Sequence, residues 1–519
     1  MKVKYNIVFL SSITICAAFI LYGAIFTKQF ETFTTALTQH IAIQFSWYYL
    51  ILIVIFLALC LYLLFSKYRD IKLGKADEQP EFSLVSWFSM LFCAGMGMGL
   101  VFWTTSEPIS DAFILSPEHK EGSKGAIASA LQYSFFHWGI HAWAVYCIVA
   151  LVFAYFSFYK GYPGLVSAML RPLLDEGRIQ RYVGNVSDIL AVIATVTGVA
   201  ATLGFGTAQI NDGLNFLFDV PSNLFVQTFI IIMATVIFTI SAWSGISKGI
   251  KHLSNINMIL AVIILIAVFI VGPTLYILNM FTNTLGNYMA DFLKMSLTLP
   301  LDSQDKRFSW MKNWTLFYWA WWIAWSPFVG IFIARISRGR TIKEFILGVL
   351  FVPALICFVF FAVFGGASLY LQSNHIAKIS SFNTETATFA VLEHFPFGFT
   401  LSILTIIVVA IFFITSADSA TYVLGMLTSR GSLNPTGFIK VSWGVILAFF
   451  AIIMFYTGGM QSIQNLMIIT ALPFSLIIIL MIISFFKVLR TDHSAQRSTT
   501  IETHHSEQKL DITQEVETE

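Results

Sequence analysis

The sequence predicts an all-α polytopic membrane protein of twelve transmembrane helices, and three observations lead there. Hydrophobic residues make up 57% of the 519 residues and charged residues 11%, with a mean hydropathy of +0.77; soluble domains are about a quarter charged. Twelve stretches approach the roughly 20 apolar residues a helix needs to keep every backbone amide hydrogen-bonded inside a bilayer. Lysine and arginine concentrate in alternate loops, as in a chain threaded back and forth across a membrane.

The same composition excludes other classes. A formal net charge of +2 leaves no broad basic face for nucleic acid. The five cysteines, Cys16, Cys60, Cys93, Cys147 and Cys357, lie in apolar stretches without paired ligand spacing, so neither a disulfide framework nor a zinc site is expected. No nucleophile–base pair or phosphate loop of recognised form appears, and the glycine-rich GMGMG lacks the strand that a dinucleotide site requires. An enzyme is therefore not expected.

Taken in order, the spans cover approximately 5–26, 46–66, 84–104, 127–157, 187–217, 224–245, 253–280, 311–336, 345–371, 395–427, 436–456 and 461–486. The first follows a basic start but is too long for a signal-peptide core and lacks an A-x-A-like site. Basic residues follow every even-numbered span: Lys67, Arg69, Lys72 and Lys75; Lys160, Arg171, Arg178 and Arg181; Lys248 and Lys251; Arg335, Arg338, Arg340 and Lys343; Arg430; Lys487 and Arg490. Both termini are thus predicted on the cytoplasmic side. Residues 105–126, with Glu107, Asp111, Glu118 and Glu121, read as an external loop. The chain divides into 1–83 with two additional helices, a five-helix unit at 84–280, an external amphipathic connection at 281–310, a second five-helix unit at 311–487, and a polar tail at 488–519 expected to be disordered.

Two spans carry helix-weakening signals at corresponding places in the two units. The third has Gly95, Gly97 and Gly99 on alternate residues, which suits either close helix contact or an unwound stretch. The eighth has Ser326-Pro327 near its middle, where proline removes a backbone donor. Interrupted helices paired in this way point to a transporter's central site.

Aromatic residues gather in the same region. In the fourth span Trp138, Trp143 and Tyr146 fall within about 140° of helical arc, and in the eighth Tyr318, Trp321, Trp322 and Trp325 occupy about 100°. Interfacial belts of tryptophan sit at span ends, whereas Trp321, Trp322 and Trp325 are mid-span. A quaternary ammonium has no N–H to donate and offers only charge and methyl groups, both of which ring faces attract.

These motifs, GMGMG at 95–99, HWGIHAWAVY at 137–146 and WTLFYWAWWIAWSPFVGIFIARISRGR at 314–340, resemble those of the betaine/carnitine/choline transporters, and the resemblance extends over essentially all twelve helices. It implies two inverted five-helix repeats of LeuT-like fold preceded by two extra helices, alternating access, often a homotrimer, and a place in a bacterial plasma (inner) membrane. It implies secondary active uptake of a quaternary-ammonium compatible solute, with glycine betaine by sodium symport as the expected case and no cofactor besides the coupling ion.

By position, the resemblance makes Trp138, Trp143, Tyr146 and Trp322 an ammonium cage. It sets Trp325 and the backbone of Met96, Gly97, Met98 and Gly99 toward a substrate carboxylate, and Trp321 along the pathway. A sodium site would draw on the hydroxyls of Thr415 and Ser416 and on carbonyls near Cys93, Met96 and Phe412, since hard cations favour oxygen ligands. The alternative is that these hydroxyls bond their own helix one turn back. A second sodium site would use Thr195 and Phe328, although Val199 stands where the family pattern has a hydroxyl, with Thr197 or Thr202 as substitutes.

Proton-coupled choline carriers of the family tend to place an acid where this chain has Gly99, which favours a zwitterion here. His137 and His141 read as structural hydrogen-bonders, and Asp418 as a group bonded near a helix end. Choline, carnitine or a sulfonium analogue, proton-coupled or exchanged, is the neighbouring alternative. A membrane osmosensor or receptor without turnover is the alternative from another class, and the short, acid-containing tail argues against strong osmotic self-regulation.

Overall fold

The computed structural model describes the backbone of residues 6–95, 97–244 and 247–517, and side chains over that range except 92–95, 244, 247–252 and 493–517. It is helical throughout, the described residues forming no β-strand beyond an isolated bridge between Lys72 and Thr341. The helices are α1 (Ile7–Ile25), α2 (Thr27–Phe65), α3 (Leu84–Gly95), α4 (Gly97–Phe113), α5 (Lys124–Trp138), α6 (Ile140–Ala154), α7 (Val166–Leu170), α8 (Arg178–Phe218), α9 (Leu224–Ser244) and α10 (Ser247–Val271). They continue as α11 (Thr274–Ala290), α12 (Phe292–Leu297), α13 (Lys306–Met311), α14 (Phe317–Ile336), α15 (Ile342–Phe360), α16 (Gly366–Ser373), α17 (Ala387–Leu392), α18 (Gly398–Thr428), α19 (Gly437–Tyr456) and α20 (Met460–Glu517).

Eleven helical segments of the described residues are long and apolar enough to cross a membrane. The remaining expected span, 84–104, falls on α3 and α4, which flank Met96; that residue lies outside the described set. The helix α2 begins one residue after α1 and has 39 residues, about 58 Å at 1.5 Å per residue, well beyond a hydrocarbon core of about 30 Å. One face of its surplus first half, with Phe30, Thr34 and Thr38 buried, packs on the protein: Thr38 donates to the Asn465 carbonyl (3.2 Å) and Gln39 accepts from Lys312 (2.9 Å). Residues expected in the external connection form α11 and α12, whose Met289 and Leu293 are exposed while Tyr288 and Ser296 are buried. The last helix carries the tail that composition assigns to disorder as far as Glu517.

Burial divides the spans into central and peripheral. The segments Lys124–Tyr159 and Lys306–Ile336 are each 94% buried in their most apolar window, against 17% for Leu224–Trp243 and 22% for Leu253–Val271. The fourth and eighth spans are therefore the core, packed along one another, and α9 and α10 present apolar side chains to lipid.

The ends of the even-numbered spans gather on one face. Backbone bonds join Leu73 to Arg340 and Ile342 to Ile71, Arg338 meets Glu78 at 2.5 Å, and Lys160 pairs with Asp492 at 2.9 Å. The opposite face is tied by Lys306–Glu121 (2.8 Å) and Lys294–Glu118 (3.6 Å). On that face the carboxyl of Glu121 is held below its usual range, chiefly by its hydrogen bond from Lys306.

The eighth span is not broken at its proline. Helix α14 runs unbroken through Pro327. Proline at 327 leaves the Ile323 carbonyl without its donor, and the Ser326 hydroxyl supplies one at 2.8 Å. Replacing Ser326 with alanine should lower stability by about 1 kcal/mol, the net worth of one hydrogen bond, read as a depressed thermal midpoint of the purified protein; an unchanged midpoint would refute the compensation. In the third span Gly97 and Gly99 are helical and in close contact with neighbouring rings, while Met96 between α3 and α4 lies outside the described residues. A Cβ on Gly97 would lie 2.2 Å from the Phe412 ring, and one on Gly99 would lie 2.7 Å from Trp138 and 3.2 Å from Trp321.

Among the described residues an interruption lies in the fourth span. Gly139 separates α5 from α6 with φ −91° and ψ −137°, and a Cβ there would meet the Phe135 carbonyl at 2.4 Å. Three π-helical turns, Tyr155–Tyr159, Lys312–Leu316 and Phe361–Gly365, add local irregularity, a feature often found at functional sites.

Candidate functional site

The central helices bring most of the expected aromatic residues into one buried cluster. On α14, Trp321 and Trp322 stack at 5.0 Å between ring centroids, and Tyr318 stacks on Trp322 at 5.6 Å. Trp138, the last residue of α5, meets Trp322 edge-on at 5.1 Å, Tyr318 at 5.3 Å and Trp321 at 6.1 Å. Tyr146 of α6 closes the group against Trp322 at 6.0 Å. These rings are at most 1% exposed. Phe361, in a π-helical turn, backs Trp138 at 5.4 Å.

Trp143 departs from the expected cage. Its ring contact is with Tyr146, at 5.7 Å, and its indole lies beside Cys357 of α15. The helical-wheel argument assumed one continuous helix through 138–146, and the break at Gly139 rotates α6 relative to α5. Trp325 extends the α14 stripe, touching Trp321 (6.3 Å) and Phe328 (5.7 Å), and occupies the space left by Gly198 of α8. The indole N–H groups of Trp321 and Trp325 and the Tyr146 hydroxyl find no acceptor within the described protein. They are unused hydrogen-bonding groups at the edge of the cluster.

The sequence reading missed the group that fixes these rings. Glu107 is fully buried in α4, not in an external loop. One carboxylate oxygen accepts from Trp138 Nε1 (2.9 Å) and from the Tyr318 hydroxyl (2.7 Å); the other lies 2.7 Å from His137 Nδ1. Trp322 Nε1 donates to the His137 carbonyl at 3.1 Å. Asp111, one turn along α4 and also fully buried, accepts from Trp310 at 2.7 Å. The available signal was the spacing: two acids four residues apart share one helix face, and no base adjoins them in sequence. As expected, His137 and His141 are hydrogen-bonded, the latter to Ser296 at 2.7 Å.

Above this layer, on the face opposite the basic loops, a cavity of about 400 Å³ is lined by residues including Glu118, Tyr133, Asp302, Arg307, Trp310 and Thr315.

The residues expected at a first sodium site fall where α4 meets α18. Gly97 packs on Phe412, and Met98 and Phe413 both crowd Gly206 of α8. Thr415 donates to the carbonyls of Ile411 (2.9 Å) and Phe412 (3.3 Å), so its hydroxyl does bond one turn back. That bond uses the hydrogen and leaves oxygen lone pairs as acceptors. Ser416 is half-buried, and Met96 and the Cys93 side chain lie outside the described residues. Around the expected second site, Thr195 bonds the Ala191 carbonyl (2.7 Å) and Phe328 is buried against Trp325. Of the substitutes for Val199, Thr197 faces Thr470 at 2.8 Å and Thr202 bonds the Gly198 carbonyl at 3.2 Å.

Comparison with known proteins decides the family. The pattern described as "BCCT, betaine/carnitine/choline family transporter" matches residues 7–494. The chain belongs to the betaine/carnitine/choline transporter family. It is 49% identical to the glycine betaine transporter OpuD of Bacillus subtilis over 93% of this chain and 94% of that protein. It is 42% identical to an ectoine/hydroxyectoine transporter of Virgibacillus pantothenticus, covering 93% and 96% of the two chains. A probable glycine betaine transporter of Desulfitobacterium hafniense is 38% identical over 94% and 98%. The protein is thus a multi-pass membrane transporter, not an enzyme, and the buried ring cluster lies in the two most central spans of a family named for methylammonium solutes.

Proposed function

We propose that the protein takes up glycine betaine by sodium symport with alternating access, the trimethylammonium being held among Trp138, Tyr146, Tyr318, Trp321 and Trp322. The observation that carries this reading is the five-ring cluster, buried at the centre of the chain and spanning α5, α6 and α14. Each ring face brought to bear on a cation contributes about 0.5–2 kcal/mol. The carboxylate of a zwitterion has candidate donors in the unused indole N–H groups of Trp321 and Trp325. No lysine or arginine ion-pairs in this cluster among the described residues, which suits a ligand that carries its own positive charge.

Sodium coupling rests on Thr415 and Ser416 standing beside the α4–α18 contact. Uptake of labelled glycine betaine into proteoliposomes should require an inward sodium gradient, and Thr415→Val should raise the sodium concentration needed for half-maximal uptake about tenfold, the loss of one hard-cation ligand worth about 1.4 kcal/mol. Equal uptake with and without sodium would remove the coupling. In this reading the face carrying the basic loops, with both termini, is cytoplasmic.

A second reading has its own observation. The 42% identical relative is named for ectoine and hydroxyectoine, which points to a compact zwitterion of another chemistry. Competition against labelled betaine separates the two: displacement by betaine at far lower concentration than by ectoine supports the first, and the reverse order the second.

A further inference from the structure

Between the outer cavity and the ring cluster lies a buried acid–base pair that solute recognition by the rings leaves unexplained. Glu107 and His137 are both fully buried and 2.7 Å apart. The outward nitrogen of His137 lies 3.0 Å from the Thr315 hydroxyl, and Thr315 lines the cavity. A hydrogen-bonded chain therefore runs from the cavity through Thr315 and His137 to Glu107. From Glu107 it continues to Trp138 Nε1 and the Tyr318 hydroxyl. The carboxylate is thus one indole away from the space where an ammonium would sit.

On the cavity side Glu118 lies against Tyr133, and Glu118 and Arg307 line the cavity with Thr315. Asp111 of α4 is bonded to Trp310 of α13, Tyr133 of α5 lies beside His137, His141 of α6 lies one turn further on, and Tyr318 comes from α14. Among the described residues no lysine or arginine pairs with Glu107 or Asp111. With both imidazole nitrogens protonated beside an ionised Glu107 the pair is electrically neutral. With the Nε2 proton gone and Nδ1–H retained it carries one negative charge in a dry interior, where charges interact strongly.

We infer that cation occupancy of the ring cluster and the proton on the Glu107–His137 pair are linked, so that binding a quaternary ammonium expels a proton to the outer cavity. A positive charge arriving one indole away favours the negative form of the pair, and linkage makes the effect mutual. The step balances without redox chemistry. With both imidazole nitrogens protonated, the Nε2 proton passes to Thr315 Oγ1 as the threonine hydroxyl proton passes to cavity water, and the Nδ1–H to Oε1 hydrogen bond is retained.

Protons oppose the cation, so affinity rises with pH through the range in which the pair loses its proton, by at most about tenfold per pH unit for one linked proton. This rests on the ammonium-binding reading above, and the experiment separates the two. Glycine betaine is titrated into the purified full-length protein from pH 5.5 to 8.5, with affinity read from tryptophan fluorescence. Proton release is counted by calorimetry in buffers of different ionisation enthalpy. The wild-type protein is expected to release up to one proton per ligand, and E107Q to bind with pH-independent affinity and release none. H137Q should do the same, and keeps the test alive if E107Q does not fold. T315V should slow proton release in stopped-flow without changing the pH slope. A wild-type protein that binds betaine without releasing protons, or E107Q and H137Q variants that keep the wild-type slope, overturns the linkage. Failure of the wild-type protein to bind any methylammonium compound overturns the ammonium reading along with it.

Discussion

Replacing Trp322 with leucine is expected to weaken binding of glycine betaine and of every other methylammonium ligand together, by about tenfold or more. Trp322 is the hub of the cluster: it stacks on Trp321 and Tyr318 and receives the edges of Trp138 and Tyr146. Losing its face removes about 0.5–2 kcal/mol of cation–π attraction, and 1.4 kcal/mol is tenfold in affinity. The change also frees the His137 carbonyl, to which the indole now donates, and leaves Tyr146 with Trp143 as its ring neighbour. The loss should therefore exceed one ring contact. Quenching or enhancement of tryptophan fluorescence across a panel of methylated ammonium compounds measures it. A uniform loss supports a shared ammonium subsite; unchanged affinity for the whole panel would remove Trp322 from it.

The second large effect is expected from a single added methyl group. In Gly99→Ala the new Cβ would lie 2.7 Å from Trp138 and 3.2 Å from Trp321, both rings of the cluster. The ring of Trp138 is held by its bond to Glu107, wedged by Tyr318 and Trp322 and backed by Phe361, so it has little room to retreat. Overpacking of this kind costs about 1–3 kcal/mol. The thermal midpoint should fall and ligand affinity should drop about tenfold or more, because the displaced rings are those that would contact the ligand. Gly286→Ala, in α11 where a Cβ meets nothing within 4 Å, serves as the control and should change neither quantity. Wild-type affinity in Gly99→Ala would mean that these rings do not form the site.

Much of the fold was legible because bilayer burial imposes a simple rule on composition and length. Eleven of the expected spans correspond to long apolar helical segments, and the aromatic stripe Tyr318–Trp321–Trp322–Trp325 was readable because α14 is a regular helix over those residues. Trp143 reaches the group through Tyr146, a relation hidden in the sequence because a wheel drawn through Gly139 treats two helices as one. Pro327 was read as bending or breaking the helix; the helix is continuous there, and a neighbouring serine hydroxyl supplies the missing donor, a compensation visible only in three dimensions. Glu107 and Asp111 were assigned to a loop on charge alone. Their burial depends on Trp138, Tyr318 and Trp310, donors from elsewhere in the chain whose approach no local pattern encodes.

In the proposed function the buried rings recognise a trimethylammonium zwitterion that the protein then carries across the membrane. Uptake of labelled glycine betaine into proteoliposomes under an imposed sodium gradient, with unlabelled betaine, choline, carnitine and ectoine as competitors, tests it most directly. Saturable, sodium-driven uptake that betaine displaces at the lowest concentration is the expected result. Liposomes containing protein that accumulate no more betaine than empty ones, with ligand-insensitive tryptophan fluorescence, would contradict it.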